Sequence, residues 1–158
     1  PRKKFMLRKC VRFLLLMMSI GTAVSAPVGV EYFKVSTWSE FQVEASRPHI
    51  VVFSTTDCAH CPGVIADIAK KIKEQKKKVY LSVVVMDGAS QLEYLLSTPH
   101  YLLADRLFVF DGQSSAIRYA VNPSWRGLTP YVALLSGKGE VKYTLGKLSH
   151  QQINRLGN

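Results

Sequence analysis

The chain has 158 residues, 47% of them hydrophobic, and carries 21 Lys and Arg against 11 Asp and Glu, a formal net charge of +10. That length suits one domain with a real core. It shows no internal repeat and no low-complexity segment, and its basic balance points first to nucleic acid or a membrane surface.

The charge is unevenly placed, however. Arg2, Lys3, Lys4, Arg8, Lys9 and Arg12 precede every acidic residue, and an apolar run of 12 residues from Phe13 to Val24 follows them. Val24-Ser25-Ala26 then supplies small residues ahead of Pro27. A basic start, a short apolar stretch and a small-residue exit read as a secretory signal peptide over residues 1–26. The apolar run is short against the ~20 residues of a spanning helix, and an uncleaved N-terminal membrane anchor is the alternative. Cys10 lies ahead of the apolar run and is read as incidental. Without the leader, 15 basic residues face 11 acidic ones, a net charge of +4, which removes most of the support for nucleic acid. The domain is expected over 27–158, exported to a periplasmic or other extracytoplasmic space and soluble after cleavage near Ala26.

In chain order, Val30 to Val35 alternates weakly and reads as an edge strand. Thr37 and Glu40 have the spacing of a capping box opening a short helix through Phe41 to Ala45. Ile50-Val51-Val52-Phe53 is apolar throughout and β-branched at three of four positions, which suits a strand buried on both faces. The next helix is carried by Val64, Ile65, Ile68, Ala69 and Ile72. It runs into a lysine-rich stretch over Lys70 to Lys78, which complements a helix C-terminus and is read as a solvated end. Val79 to Met86 is a second buried strand, turned by Asp87-Gly88. A short helix follows over Ala89 to Leu96, then a strand over Leu107 to Phe110 and a helix over Ser114 to Ala120. Strand Tyr131 to Leu135 is joined by Gly137-Lys138-Gly139 to strand Val141 to Leu145. Ser149 caps a last amphipathic helix. The alternation predicts an α/β domain with a mixed sheet of four or five strands flanked by helices.

Cys58 and Cys61 bracket Ala59-His60 where the first buried strand hands over to a helix. A helix start leaves N–H groups unsatisfied and holds partial positive charge, which favours a thiolate. The second thiol, one turn on, can resolve a mixed disulfide made by the first. Cys58 is therefore the expected nucleophile and Cys61 the resolving thiol. His60, when protonated, would favour the Cys58 thiolate further. Zinc needs four ligands, and His49, His100 and His150 show no ligand spacing. A purely structural disulfide is the other bland reading.

With these motifs in this order the chain resembles the thioredoxin fold, from roughly Val30 to Leu156. Thr129-Pro130 stands just before the hairpin strand, where that family has its cis-proline, and Gly146 stands where it has a glycine before the last helix. The segment from Asp105 to Leu135 resembles the TlpA-like exported thioredoxins. The resemblance implies that Thr129 and Pro130 position a substrate backbone beside the cysteines. Two departures stand out: Val52 occupies the place of thioredoxin's buried acid, and Asp57 the place of its tryptophan. The Ala59-His60 pair is nearer to the x-His of DsbA and protein disulfide isomerase.

The resulting expectation is an exported thiol-disulfide oxidoreductase, cell-envelope redox chemistry through a C-A-H-C dithiol, with protein thiols or disulfides as substrates. A membrane redox partner would recharge it. No cofactor, no metal and no nucleic acid are expected, and contact with a membrane only through the leader if it is retained. The rivals are a thioredoxin-like module holding a soft metal such as Cu(I), and a redox-inert assembly module.

Overall fold

A computed structural model describes residues 29–43, 47–74 and 78–156. The expected leader, its expected boundary at Ala26 and Cys10 lie outside the described residues. No described helix is long and apolar enough to cross a membrane.

All six segments read as strands are strands: β1 (Val30–Phe33), β2 (His49–Ser54), β3 (Tyr80–Val85), β4 (Arg106–Phe110), β5 (Tyr131–Leu135) and β6 (Val141–Leu145). They form one sheet in the order β1-β4-β3-β2-β5-β6. The sheet thus has six strands rather than four or five, because β1 completes it by pairing in parallel along β4. β1 to β4 run parallel, while β5 and β6 run antiparallel to their neighbours. The helices are α1 (Val35–Val43), α2 (Cys61–Glu74), α3 (Leu92–Ser97), α4 (Ser114–Val121) and α5 (His150–Asn154).

β2 is the middle of the sheet and is buried on both sides, which its unbroken apolar run requires. Ile50 and Val52 face the layer containing Cys61, Val64, Ile65 and Ile68 of α2. Val51 and Phe53 face Trp38 and Phe41 of α1 and Ile117 and Val121 of α4. Strand alternation with period two makes this division. On the second side Phe33 is the hub, edge-on to Phe41, Phe53 and Phe108 with centroids 5.7–5.8 Å away.

Two local expectations change. α1 starts at Val35, so Thr37 lies inside the helix instead of capping it. Its hydroxyl accepts from the Lys34 N–H at 3.1 Å and donates to the Tyr32 carbonyl at 3.4 Å. The lysine-rich end of α2 is not wholly solvated: Lys71 is 5% exposed and paired with Asp67 at 2.7 Å. Ser149 does cap α5, with a reciprocal pair of bonds to Gln152.

His49 begins β2 beside Phe41, with ring centroids 4.6 Å apart, and its Nε2 lies 2.8 Å from Ser82 Oγ. Burial, and secondly the charge of Arg106, pull its pKa down from the ordinary 6.5 to about 4. The folded protein therefore keeps His49 neutral through a range in which the unfolded chain takes up a proton. Its contribution to stability is complete above pH 6.5 and is lost as the pH falls toward 4. Denaturant unfolding at pH 7 and pH 4.5 should show a smaller loss for His49→Gln than for the parent chain; equal losses would contradict the assignment.

Candidate functional site

The parallel strands β2 and β3 end side by side, with Ser54 opposite Val85 and the Met86 N–H donating to the Ser54 carbonyl at 2.9 Å. The end of a parallel sheet is where open α/β folds place their ligands. The chain leaves β2 through Thr55, Thr56 and Asp57 and reaches Cys58, whose N–H bonds the Thr55 carbonyl at 3.2 Å. A second such bond, Cys61 N–H to Cys58 carbonyl at 3.2 Å, closes the C-A-H-C turn, and α2 begins at Cys61. Cys58 therefore stands in the turn just ahead of the helix, and Cys61 is its first residue.

Cys58 and Cys61 are joined as a disulfide. Cys61 is 1% exposed and belongs to the core under α2, whereas Cys58 is partly exposed. A reagent from solvent thus meets Cys58 first. His60 is exposed; its carbonyl takes the Val64 N–H at 3.2 Å. Asp57 is also exposed. Below the pair, Val52 lies fully buried in the Cys61 layer. The hydroxyls of Ser54 and Tyr101 are buried on that side. Burial raises the Tyr101 pKa, against a smaller opposing effect of its bond to Ser54, so both stay neutral.

The Thr129–Pro130 peptide is cis. Thr129 Oγ1 lies 3.5 Å from Thr55 Oγ1, which brings this loop against the one leading to Cys58. The loop is held from several sides. Trp125 stacks on Tyr131 at 4.6 Å and donates its indole N–H to the Leu128 carbonyl at 2.9 Å. Asn122 donates to the Tyr131 hydroxyl at 2.7 Å. Gly127 has φ +84°, a left-handed backbone conformation that residues with a Cβ rarely adopt. Gly146 closes the far side by donating to the Pro130 carbonyl at 2.8 Å. Leu128, beside Thr129, is 60% exposed.

One residue of the site is not legible as such in the sequence, where Asp87 reads only as a turn. Its carboxylate accepts from the Thr56 N–H at 2.9 Å and from the Thr56 hydroxyl at 2.7 Å, and Gln91 donates to that hydroxyl at 3.3 Å. Asp87 thus clamps the Cys58 loop from the end of the neighbouring strand. The usable signal is its place one step beyond a strand adjacent to β2.

Among the described residues no group of three or more His, Cys, Asp or Glu converges. Met86 packs on the side of the sheet away from Cys61.

Removing the clamp tests its role. Asp87→Ala should speed amide exchange at Thr56 and Cys58 and cost about 1–2 kcal/mol of stability, the usual worth of hydrogen bonds to a charged acceptor at a partly solvated site. Asp87→Asn should recover part of the protection. Unchanged exchange in Asp87→Ala would remove the clamp.

Neither a protein-family model nor a curated protein sequence matches the chain. Solved structures do. A secreted Mycobacterium tuberculosis disulfide oxidoreductase, homologous to Escherichia coli DsbE, aligns at TM-score 0.52 and 13% identity, covering 72% of this chain and 83% of that one. The thioredoxin domain of a Bacteroides vulgatus thiol-disulfide oxidoreductase aligns at TM-score 0.51 and 12% identity, covering 73% and 77%. The exposed lipoprotein thioredoxin Etrx1 of Streptococcus pneumoniae aligns at 0.50 and 16%, covering 75% and 86%. At such identities the likeness is one of architecture, and the chain has the thioredoxin fold.

Proposed function

We propose that the chain is an exported thiol-disulfide oxidoreductase acting on protein thiols or disulfides. The observation that carries this reading is the asymmetry of the Cys58–Cys61 pair: a partly exposed sulfur ahead of α2, bonded to a sulfur 1% exposed. A disulfide serving only to hold the fold has no need of an accessible end at the head of a helix. The architecture shared with secreted oxidoreductases supports the same reading.

In the reducing direction the Cys58 thiolate attacks one sulfur of a substrate disulfide, forming a mixed disulfide and releasing one substrate thiolate. Cys61 loses its proton to solvent and attacks Cys58. The Cys58–Cys61 bond forms, the second substrate thiolate leaves, and two electrons have passed from the dithiol to the substrate. Run backward, the same steps oxidise a substrate dithiol. A membrane redox partner would return the pair to its starting state. Thr129 and Pro130 would align the substrate backbone beside Cys58, and no cofactor enters. The segment 1–26 would act as the export signal, with 27–158 as the working domain.

Cys61→Ser should trap mixed disulfides with substrate proteins, visible as reducible high-mass adducts, whereas Cys58→Ser should trap few. Adducts through Cys61 in the Cys58→Ser chain, and none in Cys61→Ser, would reverse the roles.

His60 sits within the turn next to Cys61, and its imidazolium would stabilise the reduced thiolate. His60→Pro should lower the reduction potential by tens of millivolts, each pKa unit of the Cys58 thiol corresponding to ~30 mV. A potential and a Cys58 pKa that both stay put in His60→Pro would leave the tuning to Asp57 or to the partner.

A further inference from the structure

The loop that carries Leu128, Thr129 and Pro130 has a cation laid against its flank. Arg118, within α4, donates its Nε–H to the Ser114 carbonyl at 3.3 Å. Its guanidinium lies against Gly127, with Cζ 3.3 Å and Cδ 3.6 Å from the place where a Cβ would stand. Gly127 has no side chain to hold the planar group off. Arg118 is half-buried, and among the described residues no acceptor meets its Nη1 or Nη2. The stem of the side chain is thus anchored while the far edge of the fork is open. A guanidinium fixed in this way has already given up much of its side-chain freedom, and its two remaining nitrogens match the two oxygens of a carboxylate. Arg126, next to Gly127, is exposed and has no such anchor among the described residues.

Gly127 stands two residues ahead of Thr129, whose Oγ1 lies 3.5 Å from Thr55 Oγ1 on the segment leading to Cys58. In the loops that leave β2, β3 and β4 the acids are Asp57, Asp87 and Asp111. Asp87 is taken up by Thr56, and Asp111 pairs with Lys34 at 3.1 Å. Asp57 is exposed beside Cys58. The open cysteine therefore has a negative neighbour, whereas the flank of the loop has a positive one. An extended segment aligned on Thr129 advances about 3.3 Å per residue, so the residue two places from its cysteine comes level with Gly127. We propose that Arg118 is a specificity-determining residue of this site, binding a carboxylate two residues from the reacting cysteine of the substrate. The preferred substrates are then protein thiols or disulfides with Asp or Glu at that place, and the charge of Asp57 disfavours an acid directly beside the cysteine. This inference rests on the reading of Cys58–Cys61 as a redox couple; it adds a substrate class to it and leaves the exchange steps as they are.

Two end-blocked thiol peptides, Glu-Ala-Cys-Ala-Glu and Gln-Ala-Cys-Ala-Gln, test this as reductants of the oxidised full chain, with opening of the disulfide followed by alkylation of Cys58 and Cys61. Each rate is divided by the same peptide's rate with hydroxyethyl disulfide, which removes the effect of the glutamates on their own thiol. The parent chain should favour the glutamate peptide by about fivefold, the upper worth of a partly solvated Arg–carboxylate pair. The preference should vanish in Arg118→Gln and survive in part in Arg118→Lys, which keeps the charge without the fork. It should survive in Arg126→Gln, which makes the same change in net charge. Because the ratio compares two peptides on one protein, a loss of folded chain cancels. Equal normalised rates in the parent, a preference that survives Arg118→Gln, or an equal loss in Arg118→Gln and Arg126→Gln overturns the inference and leaves the redox reading standing. A disulfide that neither peptide nor mercaptoethanol opens removes the redox reading and the inference with it.

Discussion

The structure depends on the burial of β2 between two layers. A strand with apolar side chains on both faces must have helices on both sides and strands on both edges. α2 and α1 with α4 supply the helices; β3 and β5 supply the strands. Once β2 is central, its end is fixed against the end of β3, and the loop that leaves it can rest on groups from both neighbours. That is how Asp87, from beyond β3, and Thr129, from ahead of β5, reach the segment before Cys58. The cysteines are thus mounted on the most constrained part of the fold, though they lie in a turn and at a helix start. Burial of Ile65 and Ile68 against the sheet fixes where α2 begins, and this separates a covered sulfur from an open one.

Much of this is legible in the sequence because the signals are local. The apolar runs of β2, β3 and β4 mark central strands, and the C-A-H-C spacing with helical periodicity marks the handover. Thr129-Pro130 is legible only through resemblance, since a proline ahead of a strand says nothing of its peptide isomer. Three features escaped for the same physical reason: they are set by partners distant in the chain. That β1 is an edge strand is legible, but its partner β4 is not, because the paired residues lie 77 positions later in the chain. Asp87 acquires its role only when β3 lies beside β2. Lys71 reads as one of a solvated run, but Asp67 on the previous turn draws it under cover. α1 shows the opposite failure, a local motif that misleads: Thr37 serves the Lys34 N–H from within the helix.

Charge divides the molecule in a way that composition hides. Most of the formal excess lies in residues 1–26, which carry six basic residues and no acidic one. In the proposed function, recognition of a substrate falls to the loop carrying Leu128 and Thr129 and to the backbone beside Pro130.

The central claim is that Cys58–Cys61 is a working redox couple and not a brace. Its reduction potential, measured by equilibration of the full chain with glutathione buffers and quantified by alkylation of the free thiols, tests that claim most directly. The account predicts a value within the range of known thioredoxin-fold couples, about −120 to −270 mV. A value below about −300 mV, where structural disulfides resist the glutathione pool, would contradict it.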